Sequence, residues 1–388
     1  MTVRSAWGRF YDLPHLWMYL GFATAPPLGS TISVSGPLLD DPFATVAGGN
    51  PFPITRDPNM TFPQFANWLT FPLDMKKWYA DQWNVSLQRQ LGASWAVSAN
   101  YVNSRGHRLP IGDNINPAVY QPGATTGNVN QRRVLFLQNP QQGQYYGNII
   151  SMSTTGTSKY DALLLSLNHR ASKALTLTGN WTISKCTTDL INYEPGMAGF
   201  ALSKPGDVAY DRGSCGGGDR LHVVNATAVY QLPGASKGAL GALTNDWQIS
   251  GIVRAQSGDH FNVTTGSDTA LTGQTNQRPN FAADVDPYKK SGNQWLNPAA
   301  FSNPAPGTYG NVPINGFVGP GAFNVDMGIT RSFKTGGTRE VQFRAELFNV
   351  FNTVLKSDPV ATLNSPNFGL ITAAGDPRIV QLAVKYVF

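Results

Sequence analysis

The sequence predicts an all-β protein of long antiparallel strands, and three observations carry this prediction. Runs of about ten residues alternate between apolar and polar side chains, which is the period of a strand and not of a helix. The connections between these runs alternate between long and short. Charged residues make up 13% of the chain and aromatic residues 11%, whereas soluble globular chains carry ~25% charged residues.

Ten such runs follow one another along the chain. In "ALTLTGNWTIS", for example, Leu175, Leu177 and Trp181 face one side, while Thr176, Thr178 and Asn180 face the other. The ten runs cover residues 3–11, 81–91, 94–104, 159–170, 174–185, 219–232, 246–258, 322–333, 339–351 and 378–388.

The spacing of the runs favours a membrane protein. The long connections cover 12–80, 105–158, 186–218, 259–321 and 352–377, and the short ones cover 92–93, 171–173, 233–245 and 334–338. Short periplasmic turns and long extracellular loops are typical of outer-membrane barrels, and about ten tilted residues cross a bilayer core. An even number of strands also puts both chain ends on the short-turn side. The sequence therefore predicts an antiparallel outer-membrane β-barrel with about ten strands.

The last strand, "RIVQLAVKYVF", carries a second signal. Val380, Leu382, Val384, Tyr386 and Phe388 alternate with other residues up to the final aromatic ring. Aromatic rings suit the boundary between acyl chains and headgroups. The pattern resembles the C-terminal signal that outer-membrane barrels present to their assembly machinery, and we expect these five residues to serve as that signal.

Several segments resemble the C-terminal barrel part of the TonB-dependent receptors, in particular the Oar-like branch. The resemblance rests on segments in the family's order, which include "RSAWGRFYD", "QWNVSLQRQLGASWAVSANYVNSRGHRLP", "YDALLLSLNHRASKALTLTGNWTISK", "DRLHVVNATAVYQLPGA", "FRAELFNVFN" and "LNSPNFGLITAAGDPRIVQLAVKYVF". It implies a barrel of about 22 strands with a plugged lumen, a plug domain and a segment that contacts TonB. By this comparison residues 1–388 are a partial barrel domain that lacks the plug and the N-terminal strands.

An open ten-stranded sheet has an energetic problem in a membrane. Each edge strand leaves about five N–H and five C=O groups unpaired in lipid, at several kcal/mol each. The total exceeds the ~5–15 kcal/mol net stability of a typical domain. Three solutions remain: closure as a small ten-stranded barrel, pairing with a separately encoded N-terminal half, or a gene fragment that never reaches the membrane. For the isolated chain we expect the first and last strands to pair antiparallel.

Four charged residues are candidates for the barrel lumen. Arg254, Asp326, Arg344 and Glu346 fall on the polar side of their strands. We expect them to pair mainly with one another, because charges in a narrow space need partners. Contact with a ligand or a plug domain is the alternative.

Other motifs concern the loops. Cys186 and Cys215 form a disulfide if the compartment is oxidising, and are free thiols otherwise. The stretch "GSCGGGD" faintly resembles a hydrolase nucleophile loop, but no base and acid are placed to serve Ser214, so we interpret it as a turn. "NVFN" and "AGDPR" are expected to fix loop and strand-end geometry. The sequence predicts no enzyme, catalytic residue, metal site or cofactor.

The resemblance to TonB-dependent receptors implies an outer-membrane receptor of a Gram-negative bacterium that takes up large or scarce ligands. Its expected partners are outer-membrane lipid, the barrel assembly machinery, TonB and a separate N-terminal plug or barrel half. Without a run of five basic residues, nucleic-acid binding is not expected.

Two alternatives remain: a non-transporting cell-surface or adhesion protein, and a soluble β-sandwich carbohydrate-binding module. Heat-modifiable migration on gels would separate the last from a membrane barrel.

Overall fold

A computed structural model describes residues 1–13, 29, 38–46, 49–50, 62–171, 174–189, 201–234, 241, 244–275, 277–336 and 339–388. Its strands are β1 Thr2–Tyr11, β2 Ala66–Thr70, β3 Tyr79–Leu91, β4 Trp95–Asn114, β5 Tyr146–Ala171, β6 Leu175–Thr188, β7 Gly213–Ser214, β8 His222–Gln231, β9 Trp247–Gln256, β10 His260–Phe261, β11 Asn280–Phe281, β12 Tyr288–Ser291, β13 Gln294–Leu296, β14 Phe301–Ser302, β15 Phe317–Val318, β16 Ala322–Gly336, β17 Arg339–Phe348 and β18 Ile379–Val387. Two short helices are α1 Val134–Gln138 and α2 Pro140–Gly143, and single 3-10 turns span Asn130–Arg132, Val208–Asp211 and Pro298–Ala300.

One twelve-stranded sheet dominates the fold. Its ten long strands follow the chain as an antiparallel meander in the order β1-β3-β4-β5-β6-β8-β9-β16-β17-β18, with β2 attached to β5 and β7 to β6. These ten strands coincide with the ten alternating runs of the sequence. The predicted all-β, antiparallel fold class is therefore confirmed.

The strands β4 and β5 are longer than the sequence predicts, with 20 and 26 residues. Their extra residues pair with each other on the side of the long connections, where Ile111 lies opposite Ser153. Ile150 and Met152 of this extension are buried against Leu69. Because the extension packs into a loop core, its side chains do not follow the alternation that marks the other strands.

The sheet has an apolar face and a polar face. The register aligns Leu165 of β5 with Ala99 of β4 and Trp181 of β6, and continues to Val224 of β8. We call the side that carries these residues the apolar face and the opposite side the polar face. Large side chains of the apolar face stay exposed, with Trp181 at 41% and Leu382 at 77%.

The alternative of a soluble β-sandwich is wrong. A sandwich buries the apolar face of one sheet against a second sheet. Among the described residues the other sheets are three two-stranded ladders, β10-β15, β11-β14 and β12-β13, all in the connection between β9 and β16. None is large enough to cover the apolar face of the ten strands.

The hydrophobic cores among the described residues lie in the long connections and against the extension of β4 and β5, and not on the ten-stranded part of the sheet. One cluster belongs to the connections β9–β16 and β17–β18 and consists of Val263, Leu296, Ala300, Phe301, Val312, Phe317 and Phe368. We call these two connections the loop layer. A second cluster joins the β4–β5 extension to other loops and consists of Leu69, Trp78, Ile150, Met152 and Ala201. The described parts of these connections are therefore folded around hydrophobic cores, although the sequence predicts them as loops.

The two outer strands of the sheet do not meet. β1 pairs with β3, β18 pairs with β17, and both strands, which are fully described, are the ends of the strand order. The expected pairing of the first and last strands is therefore wrong for the chain in this structure. Closing a barrel needs a matched tilt and shear of the strands, and no register pair joins β1 to β18 in the described sheet.

Helices contribute little to the architecture. No helix among the described residues is long and apolar enough to cross a membrane.

Candidate functional site

A continuous line of polar side chains crosses the polar face of the sheet. Successive register pairs connect seven neighbouring strands through Gln88, Ser98, Ser166, Asn180, Asn225, Arg254 and Asn324. We call these seven residues the polar row. The strand period of two puts them on the face opposite Leu165 and Trp181. The row offers amide, hydroxyl and guanidinium groups, which can donate and accept hydrogen bonds.

The four charged residues predicted for the lumen all lie on the polar face. Arg254 belongs to the polar row, and Asp326 follows Asn324 by two residues. Arg344 and Glu346 of β17 lie opposite Thr330 and Gly328 of β16. That these four side chains line a lumen stays a prediction.

The expected pairing among these charges is found for one pair. Arg254 Nη1 lies 3.8 Å from Asp326 Oδ2, and the Arg254 side chain is 59% exposed. Arg344 instead donates from Nε to Gln342 Oε1 at 2.6 Å, because Gln342 is its neighbour on the same face two residues earlier. Arg254 is thus accessible to a polar ligand from the polar face.

Asp326 accepts hydrogen bonds from two asparagines, one on its own strand and one in the loop after β17. Its Oδ1 accepts hydrogen bonds from Asn324 Nδ2 and from the backbone N–H of Asn349, both at 2.9 Å. Asn349 is 4% exposed, and its Nδ2 donates to the carbonyls of Thr353 and Asp376 at 2.9 and 3.2 Å. The motif "NVFN" therefore ties the end of β17 to the segment "AGDPR" before β18, in line with the geometric role expected for both.

A disulfide and a hydroxyl fix the loop that contains "GSCGGGD". Cys186 and Cys215 are bonded, with their Cα atoms 5.4 Å apart. Ser214 Oγ donates to Asp219 Oδ2 at 2.5 Å, and Asp219 Oδ1 accepts from the backbone N–H of Cys186 at 3.2 Å. The hydroxyl of Ser214 donates to a carboxylate and helps to hold the turn. The structure therefore does not present Ser214 as a nucleophile.

A buried ion pair at the loop layer has no counterpart in the sequence analysis. Arg278 Nη1 lies 2.6 Å from Asp211 Oδ1, and the two side chains are 1% and 0% exposed. Arg278 also donates to the carbonyls of Val312 and Tyr210 at 2.8 and 2.5 Å, and Asp211 Oδ2 accepts from the backbone N–H of Ser203 at 2.7 Å. The partners lie up to 75 residues apart, so no local motif announces them.

A second buried arginine organises the connection between β4 and β5. Arg133 donates to the carbonyl of Asn116 at 3.0 Å and to the side chains of Asn148 and Asn130 at 2.9 Å. Burial lowers the pKa of Arg133 to about 10, which the charge of Asp268 partly opposes. The guanidinium therefore stays charged at neutral pH and acts as a structural donor.

Among the described residues no group of three His, Cys, Asp or Glu side chains could hold a metal ion.

The C-terminal strand places its alternating residues on the apolar face. Val380, Leu382, Val384 and Tyr386 lie opposite apolar-face residues of β17, and all four are more than half exposed. The rings of Tyr386 and Phe388 stack with centroids 6.0 Å apart. This is the geometry that the sequence expects of an assembly signal, and the signalling role stays a prediction.

An exposed apolar face, a polar opposite face and alternating short and long connections define an outer-membrane barrel protein. The family described as "Outer membrane beta barrel domain" matches residues 1–381, and the chain belongs to this family. Family membership places the chain in the outer membrane. No curated protein sequence matches it.

Solved structures of TonB-dependent receptor barrels are similar to this chain over part of their length. The outer membrane transporter YddB from Escherichia coli has a TM-score of 0.42 and 10% identity over 83% of this chain and 34% of its own. The ferric-catecholate import receptor Fiu from E. coli K12 has a TM-score of 0.40 and 14% identity, and the match covers 81% of this chain and 29% of Fiu. BauA, the ferric preacinetobactin receptor from Acinetobacter baumannii, has a TM-score of 0.40 and 14% identity, and the match covers 80% of this chain and 30% of BauA. The chain spans about a third of these structures.

Proposed function

We propose that this chain forms the C-terminal strands of a receptor barrel that takes up large or scarce ligands across the outer membrane of a Gram-negative bacterium. The proposal follows the resemblance of the sequence to TonB-dependent receptors. The observation that carries it is the sheet itself, which combines a lipid-compatible apolar face, a polar face crossed by the polar row and two edge strands with only one strand neighbour each among the described residues.

The two edges require partner strands in a membrane. Within the part of the chain that the structure describes, β1 and β18 each leave one row of backbone groups without a sheet neighbour, and every such group left unpaired costs several kcal/mol in hydrocarbon. Further barrel strands, from the same polypeptide or from a separate N-terminal half, would remove this cost.

In the completed barrel the polar face would line the lumen. A plug domain or a ligand there would meet the polar row and the exposed guanidinium of Arg254. TonB would act on the plug and not on the strands described above. The assembly machinery would bind the last strand through its alternating residues up to Phe388. No catalytic role is proposed.

Paired cysteines test how the edges are covered. Ser5→Cys on β1 is combined in turn with Val380→Cys, Leu382→Cys and Val384→Cys on β18, in cells that express the chain as it occurs naturally. We expect no disulfide between β1 and β18, because further strands separate them. The pair Phe343→Cys and Val384→Cys, register neighbours on β17 and β18, is the positive control. A β1–β18 disulfide would support a ten-stranded barrel and contradict the proposal.

Photo-cross-linking tests the lumen. A photoreactive amino acid at Arg254 is expected to capture a plug domain, whereas the same group at Val253, the adjacent residue on the apolar face, should capture none. Both positions belong to β9, so only the face differs. If Arg254 captures nothing and the barrel conducts ions freely, the receptor proposal fails.

A non-transporting surface protein is the second candidate. The loop layer has its own hydrophobic core, which would give an adhesion protein a rigid outward surface. For this candidate the Arg254 probe would capture no plug, and deleting the gene would reduce attachment of cells without reducing uptake.

A further inference from the structure

A groove runs along β17 on the apolar face, near the end with short connections. Its walls and floor come from four strands and comprise Trp247, Ile329, Phe343, Ala345, Leu382 and Val384. Ala345 lies in register between Ile329 of β16 and Leu382 of β18. The short side chain of Ala345 forms the floor, and its larger neighbours form the walls.

Arg331 lies at the short-connection end of this groove. Its register neighbours are Trp247 and Phe343. The guanidinium carbon lies 5.1 Å from the ring centroid of Trp247 and 4.2 Å from that of Phe333. Arg331 Nε is inaccessible and has no hydrogen-bond partner among the described residues. Aromatic rings thus hold a cation whose hydrogen-bonding capacity is not fully used.

The charged side chains at the short-connection end of the apolar face are all positive. The charged side chains that the described strands bring to this end of the apolar face are Arg89, Arg331 and Arg339. Glu340 follows Arg339 directly but lies on the polar face, opposite Lys334. An anionic group at the membrane boundary would meet cations there.

We propose that the groove and Arg331 bind one glycerophospholipid of the periplasmic leaflet. Guanidinium groups bind phosphate through paired, charge-assisted hydrogen bonds. Short connections lie on the periplasmic side of outer-membrane barrels, and rings such as Trp247 belong at headgroup level.

The acyl chain of this lipid lies over Ala345. Ala345 lies two positions after Phe343, the register neighbour of Arg331, which is about 7 Å toward the bilayer centre at the rise of a strand. The phosphate and the first methylenes of one lipid span that distance. The inference rests on membership of the outer-membrane family and is independent of transport.

Native mass spectrometry of the purified barrel tests the site with two probes, phosphatidylglycerol and a diacylglycerol with the same acyl chains. We expect one phosphatidylglycerol to be retained by the wild type, and Arg331→Gln to weaken its retention roughly tenfold. Diacylglycerol, which lacks the phosphate, should bind weakly to the wild type and to Arg331→Gln alike. Ala345→Phe fills the groove and should reduce retention of both lipids.

Arg89→Gln is the matched control. Arg89 lies on the same face and at the same end, on β3 and away from the groove, so the substitution should leave retention unchanged. Heat-modifiable migration establishes that each variant is folded. Equal loss in Arg89→Gln and Arg331→Gln, or wild-type retention in both Arg331→Gln and Ala345→Phe, would overturn the proposal in favour of a nonspecific lipid shell.

Discussion

Arg278 and Asp211 show how single residues hold the loops of this protein. Both are buried and charged, and Arg278 contacts segments that are distant from it in sequence. A buried pair loses hydration on folding, so it is stable only while both charges and their hydrogen bonds are in place. Exposed pairs such as Lys204 and Asp207 lose little hydration and contribute little.

Removing the charge of Arg278 should unfold part of the loops. Arg278→Met leaves the carboxylate of Asp211 buried without its cation, and we expect a loss of about 3–5 kcal/mol in local stability. Hydrogen exchange of the backbone around Tyr210 and Val312 measures the loss. The control Lys204→Gln removes an exposed partner and should cost at most about 1 kcal/mol. Equal exchange in the two variants would contradict the assigned role.

The pair Lys204–Asp207 predicts a weak dependence on pH. Hydrogen bonds from Lys204 and from the backbone N–H of Tyr210 lower the pKa of Asp207. Because the carboxyl pKa is lower in the folded state, the ionised carboxylate stabilises the folded loop at pH values above the ordinary pKa of ~3.9. This stabilisation is lost as the pH falls through the pKa of the folded state. Exchange of the Tyr210 amide, corrected for its intrinsic rate, should therefore accelerate below about pH 4 in the wild type and not in Asp207→Asn.

At the scale of elements, the strands follow from local sequence and the loop layer does not. Alternation of side chains along β6 or β18 needs no distant partner to be recognised. The core of the loop layer joins Val263 to Phe368, more than a hundred residues apart. Local sequence holds no record of such contacts, and the same reason explains why the extension of β4 and β5 is missed.

Phe317 tests whether the loop layer is a folded unit. Its ring centroid lies 5.2 Å from that of Phe301 and 6.0 Å from that of Phe281. Phe317→Ala should therefore destabilise the layer by about 3–5 kcal/mol and expose it to limited proteolysis. Phe351→Ala, at a side chain that is 67% exposed, should change cleavage little. Unchanged cleavage in Phe317→Ala would mean that the cluster does not hold the layer together.

For the whole molecule, the two faces of one sheet decide where it can reside. An apolar face with exposed rings is stable against acyl chains, and the polar face needs water or a polar partner. The four charges predicted for the lumen could be assigned to the polar face from the period of two. Their partners could not be predicted, because Arg254 pairs with Asp326 on the neighbouring strand, whereas Arg344 donates to a side chain of its own strand.

Adjacent leucines on β5 test this division. Leu165 lies on the apolar face beside Ala99 and Trp181, and Leu164 lies on the polar face beside Asn100 and Thr182. Leu165→Lys should destabilise the barrel in bilayers by about 2–4 kcal/mol, and Leu164→Lys by much less. Urea titration of the lipid-embedded protein, followed by heat-modifiable migration, measures the difference. A larger effect at Leu164 would reverse the assignment of the faces.

The sequence by itself determined the strands, their order and which side chains share a face, because each depends on a period of two and on the lengths of the connections. Only the tertiary structure decided that β1 and β18 stay apart, that the described parts of the long connections fold around their own cores and that Arg331 lies beside a groove. These features depend on curvature, register and contacts between distant segments, which sequence spacing does not encode.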